Sequence, residues 1–316
     1  MKKIIAVTVT YNSNHFLTRC IESLLRQSYD IFKIIIVDNN SDDENKLKNQ
    51  ALQSEKVELH YLNENTGGAG GFEYGMSKAM AYGPDWVWLM DDDAFPKEDC
   101  LKKLLENENY PNVGCICPAI FGVDLGAYQT YHHKQISKKL FKDSAKIEYF
   151  QNFPEVFEID ANAFVGPLVS ANAIKDIGIA NGGLFIYGDD TEYTYRLTRK
   201  YKMIVVKSAV INHRDVFASG TFNPSAWWKE YYMYRNRILF AKEFSRNSFW
   251  KFWAVAYVKF TVRLRIISTL IKRKFKGYRK LRISLLKRAL KDGNRGVYGK
   301  MIDPKEHIAK VNEIKV

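Results

Sequence analysis

The 316 residues, 46% of them apolar, suffice for a buried core, which excludes a disordered chain. Cys20, Cys100, Cys115 and Cys117 form neither a disulfide framework nor a metal-ligand pattern and read as reduced thiols. The net charge of +13 is local: residues 244–291 hold fifteen of the 48 Lys and Arg and no acid, leaving 33 basic against 35 acidic residues elsewhere.

Ile4 to Thr10 reads as a first strand. The run is broken by threonines and stops at Tyr11-Asn12-Ser13-Asn14, which does not suit a secretion signal, and no stretch approaches 18 uninterrupted apolar residues, so neither export nor a spanning helix is expected. Phe16, Leu17, Cys20, Ile21, Leu24 and Leu25 then recur at helical spacing opposite Arg19, Glu22 and Arg26. Lys33 to Val37 and Val57 to Leu62 read as a second and third strand, leaving into Asp38-Asn39-Asn40-Ser41 and Asn63-Glu64-Asn65-Thr66. This alternation implies an α/β fold with a mostly parallel sheet and helices on both faces, whose ligands bind beyond the carboxyl ends of the strands. Thr10, Tyr11, Asn12, Asp38 and Asn65 gather at that edge. A carboxylate after the second strand suits a ribose hydroxyl or a base edge, and Asp is equally a turn former.

Thr66-Gly67-Gly68-Ala69-Gly70-Gly71-Phe72 reads as a loop before a helix over 73–82, with amides at the helix start able to face phosphate. It is not the dinucleotide fingerprint, which needs G-x-G-x-x-G after the first strand. Trp86 to Met90 reads as a buried strand that ends in Asp91-Asp92-Asp93 and leads to a helix start at Pro96-Lys97-Glu98-Asp99. In an extended backbone Asp91 and Asp93 share one side, and a hard divalent cation would relieve their repulsion. The bland alternative is a solvated acidic turn.

Together, Val9-Thr10-Tyr11-Asn12, Val37-Asp38-Asn39-Asn40-Ser41, the glycine-rich stretch after Asn65 and Leu89-Met90-Asp91-Asp92-Asp93-Ala94 resemble family 2 glycosyltransferases, most of all the galactofuranosyltransferase branch. The resemblance implies a GT-A (Rossmann-like) fold over residues 1–215, a nucleotide-sugar donor, a divalent metal (Mn²⁺ or Mg²⁺) and inversion at the anomeric carbon. Thr10, Tyr11, Asn12, Asp38, Asn65, Gly68, Asp91 and Asp92 would then contact the donor.

Further along, Val156 to Asp160 and Ala163 to Ser170 read as strands, 170–178 as a short helix ended by Gly178, and Leu184 to Tyr187 as an apolar run entering Asp189-Asp190-Thr191-Glu192. Arg196 lies one helical turn beyond Glu192. These acids could be ordinary first-turn residues. The resemblance instead makes Asp190 the general base and Asp189 an acceptor contact. Gly188 stands where that branch commonly carries Trp. Met203 to Val206 is a further strand before Val210-Ile211-Asn212-His213. His213 falls where related enzymes bind metal, so Asp91, Asp93 and His213 form the expected metal site.

Residues 216–316 read as a helical, aromatic and basic region, opening with Trp227 and Trp228 as expected acceptor contacts and the Tyr231-Tyr232 and Arg235-Asn236 pairs. Its composition suits an anionic membrane surface. No nucleic-acid module accompanies it, so nucleic acid is not the expected partner. The expectation is a peripheral enzyme at the cytoplasmic face of the membrane. It would move galactofuranose from UDP-galactofuranose to a hydroxyl of a cell-surface glycan, which could be carried on a polyprenyl diphosphate, with the oligomeric state open. Alternatives are a rhamnosyltransferase using dTDP-rhamnose, a nucleotidyltransferase, a glycosidase, and a non-catalytic nucleotide-sugar-binding protein.

Overall fold

A computed structural model of the chain describes residues 1–137, 139, 141–145, 147, 150–214 and 222–315. The order begins β1 (Ile4–Thr10), α1 (Asn14–Leu25), β2 (Lys33–Asp38), α2 (Asp43–Gln50), β3 (Val57–Tyr61), α3 (Gly67–Ala81), β4 (Trp86–Asp91). It continues β5 (Ala94–Pro96), α4 (Cys100–Leu105), β6 (Val113–Gly122), β7 (Ala127–Tyr128), β8 (His133–Ser137), β9 (Lys142–Ala145), β10 (Val156–Glu158), β11 (Ala161–Asn162) and β12 (Val165–Ser170). Then come α5 (Ala171–Ile177), α6 (Asp189–Thr198), β13 (Lys202–His213), α7 (Trp228–Phe244), α8 (Ser248–Ile271), α9 (Arg279–Arg295) and α10 (Pro304–Lys315).

The chain divides into two compact units. The first comprises Met1–Gln135, Ala145–Gly182 and the stretch from Asp189 through β13; the second comprises Ile136–Ser144, Gly183–Gly188 and the C-terminal helices. The expected division at 215/216 lies outside the described residues. What differs from a single cut is that two short inner stretches belong to the second unit.

In the first unit the main sheet has the order β10-β13-β6-β12-β4-β1-β2-β3. Strands β4, β1, β2 and β3 are parallel, whereas β12 runs antiparallel to both β4 and β6. Successive residues of a strand point to opposite faces, and both faces are covered. Ile4, Ala6, Trp86 and Trp88 pack with Leu17, Cys20, Ile21 and Leu24 of α1 and with α4, while Ile5, Val7, Val87 and Leu89 pack with Phe72 and Met76 of α3 and with Tyr193 and Leu197 of α6. This is the mixed α/β architecture expected. Leu25, assigned from spacing to the buried stripe of α1, is half exposed. All four cysteines are free and buried.

Two local expectations are corrected. The glycine run is not a loop before a helix at 73; it forms the first turns of α3, which begins at Gly67. A Cβ at Gly71 would collide with Val9 Cγ1 and one at Gly75 with Val7 Cγ1, so the missing side chains let the helix lie directly on β1. The acidic triplet is likewise not extended throughout: Asp91 ends β4, Asp92 and Asp93 form a turn, and Ala94–Pro96 becomes β5 rather than a helix start.

Close contact reverses the usual effect of a helical Gly→Ala change, which gains about 1 kcal/mol at an open position. Gly71→Ala is expected to destabilise the protein by about 1–3 kcal/mol through overpacking. Gly68→Ala, whose nearest new contact is at 3.8 Å, is expected to be tolerated; chemical denaturation of the two variants checks this contrast.

Candidate active site

The centre of the first unit is built by strand register. β13 pairs antiparallel with β5, setting His213 opposite Ala94 and so beside Asp93. Asp93 Oδ1 lies 3.2 Å from His213 Nε2. β13 also runs parallel to β6, and the β6–β7 hairpin returns Gln129 to the histidine. His213 Nδ1 stands 2.9 Å from Gln129 Oε1, and Gln129 Nε2 donates to the Arg214 carbonyl at 3.3 Å, which fixes the amide's orientation. Nδ1 therefore carries a proton, and Nε2 is left opposite the Asp93 carboxylate. A proton or a cation between them relieves that opposition. His132 Nε2 also reaches Gln129 Oε1, at 3.0 Å; burial, then the charges of His213, His133 and Lys134, push its pKa down to about 2, so it is neutral.

The acids gather from two distant stretches. Burial first, then the charges of Asp93, Asp92, Asp189 and Asp190, hold the Asp91 carboxyl well above its ordinary range. Asp189 is pushed up to about 7 by burial and by Asp190, partly offset by backbone N–H groups and by Lys134. A Cβ at Gly68 would lie 3.8 Å from Asp189 Oδ2, so the positive end of α3 adjoins this carboxyl. The start of α6 is itself pinned: Thr194 Oγ1 accepts from Asn162 N at 3.0 Å and donates to the Asp190 carbonyl at 2.6 Å, and Lys134 Nζ donates to Thr191 Oγ1 at 2.5 Å. Asp190 Oδ1 accepts from Thr191 N. The Glu192–Arg196 pair forms as the spacing implies, at 2.7 Å, and Arg196 also donates to the Ile177 and Ile179 carbonyls.

The expected metal ligands thus share one electrostatic environment, Asp93 and His213 in direct contact. Among the described residues, no group of three or more His, Cys, Asp or Glu stands in a metal-holding arrangement as it is. The donor set nonetheless fits a hard divalent ion, with carboxylate oxygens, an imidazole nitrogen oriented from its far side, and negative charge in excess.

The residues expected around the donor divide in two. Asp38 is fully buried; Oδ1 accepts from Ser41 N and Oδ2 from Asn49 Nδ2, both at 2.7 Å, so it organises the strand-end loop rather than facing a ligand. Asp92 accepts from Thr10 Oγ1 at 2.6 Å and from the Ser13 hydroxyl and Tyr11 N–H, and burial still pushes it up to about 7. It fastens the β1 loop to the acidic turn. Asn65 Oδ1 accepts from Gly67 N. Tyr11 is exposed, and Asn12 adopts a left-handed backbone with φ 53°.

In the second unit, Arg235 and Asn236 are fully buried and hold the stretch that runs on in the chain to Asp189. Arg235 donates to the carbonyls of Gly299, Gly183 and Leu184, and Asn236 Nδ2 to those of Leu184, Ile186 and Tyr187. Phe185 and Tyr187 have φ of 66° and 68°, a backbone that bulky residues hold only when their surroundings dictate it. Gly188 has φ 87°, and a Cβ there would fall 2.6 Å from Phe240 Cε2, so a Trp has no place at this position. Trp227, expected to meet the acceptor, is a core residue instead, packed against Phe275, Tyr278 and Arg282. Trp228 is partly exposed. Gln129, His132 and the backbone-binding role of the Arg235-Asn236 pair were not foreseen; the pair itself was the only signal for the last.

The model of glycosyl transferase family 2 matches residues 5–166. The chain belongs to that family. Its relatives include the galactofuranosyltransferase GlfT1 of Mycolicibacterium smegmatis, 27% identical over 205 residues that cover 62% of this chain and 65% of that protein. The chain is thus galactofuranosyltransferase-like, although it spans less than two thirds of that relative's length. A crystal structure of GalNAc-T7 with UDP, GalNAc and Mn²⁺ superposes with a TM-score of 0.57 at 16% identity, covering 77% of this chain and 52% of the other. The structure of Staphylococcus aureus TarS 1-349 does so with 0.57 at 15% identity, covering 91% and 81%. Both likenesses bear on the fold, which is GT-A.

The Asp189–Asp190 pair carries a pH signature. A carboxyl whose folded pKa is raised binds its proton more tightly in the native state, so its stabilising contribution is complete below about pH 4 and lost as pH rises through about 7. Asp189→Asn is therefore expected to be more stable than the parent protein at pH 8, by on the order of 1 kcal/mol, with the advantage vanishing towards pH 4. Urea unfolding in metal-free buffer across that range measures it.

Proposed function

We propose that this chain is an inverting, metal-dependent hexosyltransferase that moves galactofuranose from UDP-galactofuranose to a hydroxyl of a glycan acceptor. The acceptor would be linked to a lipid at the inner face of a cell membrane. The observation that carries the reading is that Asp91, Asp93, Asp189 and Asp190 share one electrostatic environment, with Asp93 in contact with His213. Such a charge cluster is costly without a ligand, and a nucleoside diphosphate bridged by a cation is the ligand it suits.

Asp91, Asp93 and His213 would hold Mn²⁺ or Mg²⁺, which when bound supplies Lewis-acid neutralisation of the departing diphosphate. Use of Mn²⁺ by this chain is further supported by the Mn²⁺ in the GalNAc-T7 structure. With Asp38 and Asp92 occupied in holding loops, nucleoside contact falls to the exposed Tyr11 ring, the left-handed Asn12 backbone and Asn65, and diphosphate contact to the α3 start at Gly68. Asp190 takes the proton from the acceptor hydroxyl as its oxygen attacks the anomeric carbon. The bond to the diphosphate oxygen breaks on the opposite face, inverting the centre, and UDP leaves with the bonding pair. Asp189 keeps its own proton up to about pH 7 and so can donate a hydrogen bond to the acceptor.

Turnover is tested with purified protein, Mn²⁺, UDP-galactofuranose and a galactan acceptor. Asp190→Asn is expected to lose about 10²–10⁴ in rate, the range of general-base catalysis, while calorimetric UDP affinity is retained. Unimpaired turnover of that variant removes Asp190 as base. Transfer from dTDP-rhamnose in place of UDP-galactofuranose changes the donor, and UDP binding without transfer to any acceptor indicates a binding protein.

A further inference from the structure

We propose that the exposed face of α8 is a docking surface for an anionic lipid membrane. The helix has 24 residues and extends about 36 Å at 1.5 Å per residue. Ala254, Val258, Val262 and Thr269 turn inward at spacings of four and seven. On the opposite side Phe249, Trp253, Tyr257, Phe260, Leu264 and Ile271 follow one another at the same helical spacings, each between 47% (Tyr257) and 74% (Ile271) exposed. A continuous apolar stripe of that length is unusual on a surface that meets only water.

The charges around the stripe choose the occupant. From 244 to 291 the sequence has no Asp or Glu, and Lys251, Arg263, Lys272, Arg273, Lys274 and Lys276 are exposed along α8 and just beyond its end. A second copy of this chain would bring the same cations against themselves, since a two-fold interface apposes identical patches. Anionic headgroups instead neutralise the cations while the aromatic and aliphatic side chains enter the boundary with the acyl chains, the arrangement of an interfacial helix lying flat. No helix among the described residues is long and apolar enough to cross a membrane. This surface deepens the reading of a lipid-linked acceptor, but its test needs no donor, metal or acceptor, so either can fail without the other.

The full chain is sedimented with vesicles of phosphatidylcholine alone and of phosphatidylcholine mixed with phosphatidylglycerol. Binding is expected only with the anionic vesicles and is expected to weaken as salt rises. Replacing Lys272, Arg273, Lys274 and Lys276 together by Gln is expected to weaken it by about a thousandfold. Trp253→Ser with Phe260→Ser is expected to weaken it at least about tenfold, with an unchanged thermal midpoint because both rings are exposed. Equal binding to neutral vesicles, or none to either, overturns the proposal. So does a concentration-dependent dimer that the serine variant dissolves, or stronger retention on a DNA or RNA oligonucleotide through the same cations.

Discussion

Mutual repulsion among carboxylates is the constraint around which the first unit is arranged. Asp91 feels Asp92, Asp93, Asp189 and Asp190 at once, and burial adds to the cost of charging it. Solvated acids would drift apart; these are prevented from doing so by rigid elements. Asp91 terminates a strand at the centre of the sheet, Asp93 is set by the β5–β13 register, and α6 is held by Thr194 against β11. A fold that spends stability to keep like charges together has them ready for a ligand that brings the opposite charge.

The second unit answers a different demand. Left-handed backbone at Phe185 and Tyr187 would relax if nothing opposed it, and the oppositions are explicit: one guanidinium and one carboxamide bind the carbonyls of Gly183, Leu184, Ile186 and Tyr187. Arg suits this task because its planar fork reaches several carbonyls at once. Around it lies a core rich in aromatics, among them Tyr231, Tyr232, Trp227 and Phe185. Tyr231 and Tyr232 are not idle rings, for their hydroxyls donate to Asp292 Oδ2 and the Ile302 carbonyl. A composition that looks membrane-like or acceptor-like along the sequence therefore serves two ends, with α7 supplying the interior and α8 the exposed surface.

Much of this was legible in the amino-acid order because it depends on local periodicity. The first strand, Ile4–Thr10, the second to within one residue, the αβ alternation and the Glu192–Arg196 pair follow from spacing alone. What was hidden depends on who meets whom. Glycines suggest a loop until Val9 and Val7 are seen against Gly71 and Gly75, where a helix with any larger side chain would collide with β1. Three aspartates suggest continued extension until β5 claims Ala94 and forces a turn before it. Asp38 keeps a motif's appearance while its oxygens are committed inside the protein, and Gln129 gives no sign in the sequence that it orients a histidine 84 positions away.

The central claim, that Asp91, Asp93 and His213 together hold a divalent cation, is tested most directly by titrating the metal-free protein with Mn²⁺ in the presence of UDP and following free ion by electron paramagnetic resonance. The account predicts one bound ion per chain. Its affinity should fall at least about tenfold in His213→Ala and by about 10–100-fold in Gln129→Leu, which removes the group that orients the imidazole and leaves the three expected ligands in place. Wild-type Mn²⁺ affinity in His213→Ala would contradict it.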